Sequence, residues 1–206
     1  MSPPVLLAFG AHPDDLEIGA FGSLLRWRDR FDIHLVVVTA GERGLSENRE
    51  RSSRVSESQE SALLLGAELT CLGLPDGYVR DDLGTVELVD EVVRKVRPQR
   101  VLVNHVDDLH QDHRNVARAV LAASRQVPEV LLYETPATTD FSPSWFVDVT
   151  DTIERKHACV ALHNSQGHRT YTTESHLYSL AAVHAARVGR PGRYAEAFQV
   201  HRMVEC

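Results

Sequence analysis

The sequence predicts an α/β fold, a mostly parallel sheet flanked by helices on both faces. Three observations predict it. The apolar runs Val5–Ala11, Ile33–Thr39 and Arg100–Asn104 are too continuous to alternate between core and solvent, as expected of strands buried on both faces. Segments with apolar residues at helical spacing lie between such runs. Two of the runs end in loops rich in His and Asp, and open α/β sheets present their chemistry at the C-terminal ends of strands.

The elements follow in order. Val5–Ala11 is a buried strand. Leu16, Ala20, Leu24 and Trp27 recur at helical spacing and predict one helix over Leu16–Arg28. Ile33–Thr39 is the second strand. Ala40–Glu50 is polar and contains glycine, hence a loop. Arg51–Leu65 reads as a helix that stops at Gly66, a C-capping residue. Leu69–Leu72 is a short strand, and Leu74-Pro75-Asp76-Gly77 a turn. Val86–Val96 is a helix with Pro98 beyond its end. Arg100–Asn104 is a strand, His113–Ser124 a helix and Val130–Tyr133 a strand. Phe146–Val149 and Ala197–Val200 read as strands, and Thr152–His163 and Thr173–Ala186 as helices. No repeat or linker interrupts the pattern. Residues 1–206 therefore form a single domain.

Hydrophobic residues make up 43% and charged residues 25%, which is ordinary for a globular domain able to bury its own core. The net charge of -7 argues against nucleic acid as the partner, since that calls for a basic patch. Cys71, Cys159 and Cys206 are far apart and odd in number. Neither a disulfide framework nor a thiolate metal site is expected, and a reducing, cytoplasmic setting fits. Met1 leads into the first strand with no basic leader or cleavage site. No apolar run approaches the roughly 18 residues that a membrane span needs. The sequence leaves a homo-oligomer open.

The first chemical constellation is His12-Pro13-Asp14-Asp15, released at the end of the first strand. A purely structural reading makes Asp14 a helix N-cap and Glu17 its capping-box partner. That leaves His12 and the second Asp without a role. Imidazole and carboxylate are the ligands of a catalytic zinc, and a neighbouring carboxylate can take a proton from water. The second constellation is Asp108-x-His110-x-Asp112-His113 after strand Arg100–Asn104. Here too an Asp N-cap with loop histidines is the plain alternative. Two strand-end loops with the same residue types favour one shared metal site, because in a parallel sheet both open on one edge.

Ala11-His12-Pro13-Asp14-Asp15 together with His110-Gln111-Asp112-His113 resembles the PIG-L/LmbE family of zinc-dependent N-deacetylases. Where many members continue with Glu, this chain has Leu16 and then Glu17. Further matches follow in order. They are Gly41-Glu42 with Gly44, Arg54 with Glu57, Leu72-Gly73-Leu74-Pro75-Asp76-Gly77, Lys156 with His163-x-Ser165-Gln166, and Tyr194-Ala195-Glu196-Ala197-Phe198. The resemblance implies a Rossmann-like (LmbE-like) fold with Zn2+ at the strand ends, held by His12, Asp15 and His113. It implies Asp14 as the general base that activates water. His110 is implied as the group that stabilises the tetrahedral intermediate or protonates the leaving amine, with Asp112 orienting it. Amide hydrolysis needs just these functions: an activated water, an electrophile and an acid. Iron, cobalt or manganese also suit such ligands.

The implied substrate is an N-acetylated small molecule, with an N-acetylglucosaminyl unit the family's usual one. Two other readings stand beside it. One is an amidase on a different small-molecule amide, such as a thiol conjugate. The other is an α/β domain that binds a ligand without catalysis. Arg54, Arg43 and Tyr78 are candidate substrate-binding residues. For Arg54 the alternative is a surface ion pair with Glu57 or Glu50. Ser165, Gln166 and His163 either close the site or cap a helix. Trp27 is assigned to the core.

Overall fold

The computed structural model describes residues 3–44 and 52–205. Its sheet has seven strands: β1 (Val5–Gly10), β2 (Asp32–Thr39), β3 (Glu68–Leu74), β4 (Arg100–Asn104), β5 (Glu129–Tyr133), β6 (Trp145–Asp148) and β7 (Ala195–Met203). Their spatial order is β3-β2-β1-β4-β5-β7-β6. The first five are parallel, whereas β7 runs antiparallel between β5 and β6. From β1 the chain winds outward through β2 and β3, then returns to the other side of β1 for β4 and β5. This reversal leaves a crevice beyond the C-terminal ends of β1 and β4.

Helices cover both faces. Leu6 and Ala8 of β1 and Leu102 of β4 pack with Leu16, Phe21, Leu24, Leu65, Ile153 and Ala181. These come from α1 (Asp15–Gly19), α2 (Phe21–Trp27), α3 (Ser52–Leu65), α6 (Ile153–Leu162) and α7 (Glu174–Arg187). Leu7 and Phe9 of β1 and Val101 and Val103 of β4 point the other way, onto Val89, Val93, Val116 and Val120. Those valines belong to α4 (Leu83–Val96) and α5 (Gln111–Ala123). Each such fully buried side chain contributes roughly 1.5–3 kcal/mol, which fixes the strand ends that carry the site.

The helix expected over Leu16–Arg28 is two helices, broken at Ala20 (φ -142, ψ 1). The break lets Gly19 lie directly on Tyr133, where a Cβ would sit 2.2 Å from the ring. It also turns the Gly22 and Ser23 N–H groups towards the Glu196 carboxylate, at 2.9 and 2.7 Å. Lys156 completes that buried pair at 2.7 Å. Gly66 ends α3 with φ +79, the left-handed conformation expected of a C-cap. In the loop expected over Ala40–Glu50, residues 42–44 form a short 3-10 helix. Residues 45–50 of that loop, with Glu50 as a partner for Arg54, the expected helix start at Arg51, and Cys206 lie outside the described residues.

Candidate active site

The loop after β1 turns sharply. Asp14 adopts φ 103, a left-handed conformation rare for any residue but Gly. It makes no capping hydrogen bond to α1, so the capping-box reading fails here. Asp15 instead folds back, and its Oδ2 accepts from the His12 N–H at 2.8 Å. Its Oδ1 lies 3.4 Å from His113 Nε2. His12 Nδ1 faces His113 Nε2 at 3.1 Å and Asp15 Oδ2 at 3.7 Å. Three donor atoms from the two loops thus meet at one point, and all three residues are buried.

The outward nitrogens of both imidazoles face carboxylates. His12 Nε2 lies 3.1 Å from Asp76 Oδ1 and 3.3 Å from Asp112 Oδ2. His113 Nδ1 lies 3.0 Å from Asp108 Oδ2, which also accepts from Thr135 Oγ1 at 2.6 Å. A carboxylate only accepts, so in neutral rings the protons sit on these outer nitrogens. The inner nitrogens are then bare lone pairs pointed at each other and at Asp15. Three acceptors with no donor between them fit a cation, and carboxylates behind the imidazoles are the usual backing of a metal site. The field agrees. Burial disfavours the charged His12 ring, yet Asp112, Asp15 and Asp76 hold its pKa well above the ordinary value. Burial likewise opposes ionisation of Asp15, but His113 and His12 hold it well below the usual carboxylate range.

Asp112 departs from the expected role. Its Oδ2 accepts from Gly77 N at 2.6 Å and its Oδ1 from Val79 N at 3.1 Å, and Oδ2 also meets His12 Nε2. Its carboxylate is turned to these partners and not to the His110 ring. His110 is itself the N-cap of α5, and its Nδ1 accepts from the Asp112 backbone N–H at 3.2 Å. Nor is His110 pushed towards the charged form. Burial lowers its pKa, and His12 and His113 lower it further. Ligand atoms of His12, His110 and His113 all lie within 4.8 Å of one another, so His110 stands at the same centre.

Asp14 is buried beside the three donors, and burial pushes its carboxyl up to about 6 despite Arg54. Arg54 is no surface residue. Its guanidinium donates to Gly41 O at 2.9 Å, Pro13 O at 2.6 Å and Asp14 Oδ1 at 2.9 Å. It ties the loops after β1 and β2 together and holds Asp14 in its strained turn. These groups open on a cleft of about 330 Å3 that Arg43, Gln166, Arg169 and Tyr171 also line. Arg43 reaches this cleft, whereas Tyr78 stands outside it with Arg43 over its ring at 5.1 Å. Ser165 hydrogen-bonds Glu57, and Gln166 donates to Gly44 O. Buried His163 lies 3.1 Å from Glu17. Asp76 read only as part of a turn, and Asp108 as a member of the second constellation with an N-cap as its plain alternative; that these two carboxylates face His12 and His113 was not legible from either pattern.

The family model for PIG-L, described as GlcNAc-PI de-N-acetylase, matches residues 7–124, more than half of the chain. The chain belongs to the PIG-L family. It is 34% identical over 155 residues to the uncharacterized deacetylase YaiS of Escherichia coli, covering 71% of this chain and 82% of that protein. It is also 25% identical over 190 residues to 4-oxalmesaconate hydratase of Pseudomonas putida, covering 79% of this chain and 74% of that one. Among solved structures, N,N'-diacetylchitobiose deacetylase from Pyrococcus horikoshii shares the fold. Its TM-score is 0.84 at 23% identity, over 96% of this chain and 83% of that one. The PIG-L match contains both loops of the site. No described helix is long and apolar enough to cross a membrane.

Proposed function

We propose that this PIG-L protein hydrolyses the N-acetyl amide of a small molecule, of the N-acetylglucosaminyl type, with a divalent metal ion, zinc by default, at His12, Asp15 and His113. The observation that carries the reading is the set of three facing lone-pair donors with a buried, protonatable carboxylate, Asp14, beside them. A bound divalent cation supplies Lewis acidity for the carbonyl and lowers the pKa of water.

The chain's own residues do the rest. Asp14, buried beside the three donors, takes the proton of the attacking water. Arg54 keeps the Asp14 carboxylate turned into the cleft. His110 accepts from Asp112 N–H at Nδ1, so a neutral His110 carries its proton on Nε2. That N–H is the donor for charge developing on the carbonyl oxygen or on the departing nitrogen. Asp76, Asp112 and Asp108 hold the two liganding rings in the tautomers the metal needs.

The test is metal analysis of the purified protein beside release of primary amine from a panel of N-acetyl sugars and cysteine conjugates. Stoichiometric metal with amine release from an N-acetyl sugar is expected. Full activity in a metal-free preparation would end the mechanism. Hydration of an unsaturated dicarboxylate with no amine release from any substrate would align the protein with the hydratase relative instead.

A further inference from the structure

His163, at the C-terminal end of α6, is fully buried, its side chain 0% exposed. It lines no part of the cleft, and its ring makes no capping hydrogen bond. Two carboxylates face it instead. Its Nε2 lies 3.1 Å from Glu17 Oε1, and its Nδ1 lies 4.0 Å from Glu57 Oε2. Burial opposes a charge on the ring, yet Glu17, Asp14 and Glu57 raise its pKa above the ordinary value. Glu57 is fixed from the other side, accepting from Ser165 N at 2.9 Å and from Ser165 Oγ at 2.5 Å.

The origin of the two carboxylates gives the ring its task. Glu17 is on α1, three residues after Asp14. Glu57 is on α3, three residues after Arg54, and residues three apart share a helix face. Asp14 and Arg54 are themselves paired at 2.9 Å. The two segments are therefore joined twice, at the cleft by Asp14 with Arg54 and away from it through His163. The second joint is needed. α1 has only five residues, and Asp14 precedes it in a left-handed turn with no capping hydrogen bond. A helix this short does not hold its own position. The brace also continues from Ser165 to its neighbour Gln166, which donates to Gly44 O at 3.1 Å. That is the loop Arg54 grips through Gly41 O.

We infer that His163 is a positioning residue for the reaction: through Glu17 and Glu57 it sets α1 against α3, and so sets Asp14 against Arg54. This rests on the deacetylase reading, with Asp14 as its base, and adds the residue that aims that base. A misplacement of about 1 Å at a reacting group costs up to about 10²-fold in rate. The loss belongs in kcat, because His163 touches neither the cleft nor the three donors.

The experiment separates aim from stability. His163→Gln keeps a polar group but cannot face both carboxylates as the ring does. His163→Leu with Glu17→Leu removes both members of the closer pair, so neither is left buried and alone. Both proteins should hold metal at the parent's stoichiometry, keep KM and lose about 10–100-fold in kcat for amine release. The double variant should do so with a Tm close to the parent's. In the Asp14→Asn background the same changes should cost almost nothing further, because no base remains to be misplaced. Full kcat in the double variant, or losses that multiply with Asp14→Asn, would leave His163 a stabilising residue only and overturn the inference. Crystal structures of parent and variants give a readout that needs no turnover. The 2.9 Å contact of Arg54 with Asp14 should break or lengthen, and an unchanged contact overturns the inference. Glu57→Gln, at a side chain 12% exposed, loosens the same brace if the buried changes prevent folding, and it is held to the same two readouts. No amine release by the parent from any substrate breaks the deacetylase reading, and the crystal comparison then decides His163 by itself.

Discussion

Two charge clusters sit at opposite ends of the same strands, and only one of them is complete. At the N-terminal end of β4, Arg100 is buried with its Nε 2.6 Å from Glu129 Oε2. Its guanidinium also lies 4.7 to 4.9 Å from the rings of Phe31, Trp27 and Trp145. One cation has one anion and three ring faces, and nothing further is needed. At the C-terminal end, the inner nitrogens of His12 and His113 and the Asp15 carboxylate face each other, and both rings face carboxylates on their outer sides. A cation is the partner that such a set of donors fits. Burial of charge is common to both; lone-pair donors converging from two loops are what mark the C-terminal cluster as a site.

The contrast breaks most directly at the ligands. His12→Ala, Asp15→Ala and His113→Ala should each lose metal and activity together, since each removes one of three donors. His110→Ala should keep the metal and lose most of kcat. Elemental analysis of the four variants decides the matter, and equal metal loss from His110→Ala and His113→Ala would move His110 into the ligand set.

Asp14→Asn sharpens the comparison by separating chemistry from metal. It should retain the ion and lose roughly 10²–10⁴-fold in rate, the scale of a general base. Stability should move the other way. The folded-state pKa of Asp14, about 6, is raised above the unfolded value of about 3.9. The stabilising protonated form is therefore fully present only below about pH 4 and is lost as pH rises through 6. Asn removes that cost at neutral pH, keeps an oxygen for Arg54 and tolerates the left-handed turn. Its Tm should equal or exceed the parent's; a lower Tm with retained activity would assign Asp14 a structural role.

A smaller effect is expected one layer out. Asp108→Asn and Asp112→Asn should weaken metal affinity by about 10–100-fold while leaving stoichiometry intact at saturating metal. Activity should return when metal is added. For Asp112 this replaces an effect through His110, because its carboxylate meets His12 rather than the His110 ring. Competition with a chelating dye measures the affinity, and a deficit that excess metal does not restore would count against the assignment.

What the sequence made legible follows the range of the forces involved. β4 begins and ends where its apolar run does, because burial on both faces writes itself into five consecutive residues. The two His-Asp loops were legible for the same reason, as each is a local pattern at a strand end. The pairings between them were not. His12 meets Asp112 across 100 residues, and Glu196 accepts from Gly22 across 174. The break at Ala20 serves that distant Glu196 and Tyr133, so the helical spacing of Leu16–Trp27 carries no trace of it. Asp14 has the composition of an N-cap, but the demand to turn Asp15 back on His12 overrides local preference.

The complete cluster yields the last prediction. Arg100→Met leaves Glu129 without its partner and removes a cation from three aromatic faces. Truncating one member of a buried pair costs about 3–5 kcal/mol. The Glu129 side chain is 18% exposed, and solvent there offsets part of the loss, so about 3 kcal/mol is expected. For a chain of this length that lowers Tm by about 6–12 °C. Replacing both partners, Arg100→Met with Glu129→Leu, should recover much of it, because no unpaired charge is then left buried. Neither change should alter metal content or kcat/KM below the transition, since Arg100 sits roughly 13 Å down the strand from the end that carries the site. Thermal unfolding and metal analysis on the same samples test this. If Arg100→Met lost metal while keeping its Tm, the division between a complete cluster that supports the fold and an incomplete one that does chemistry would be wrong.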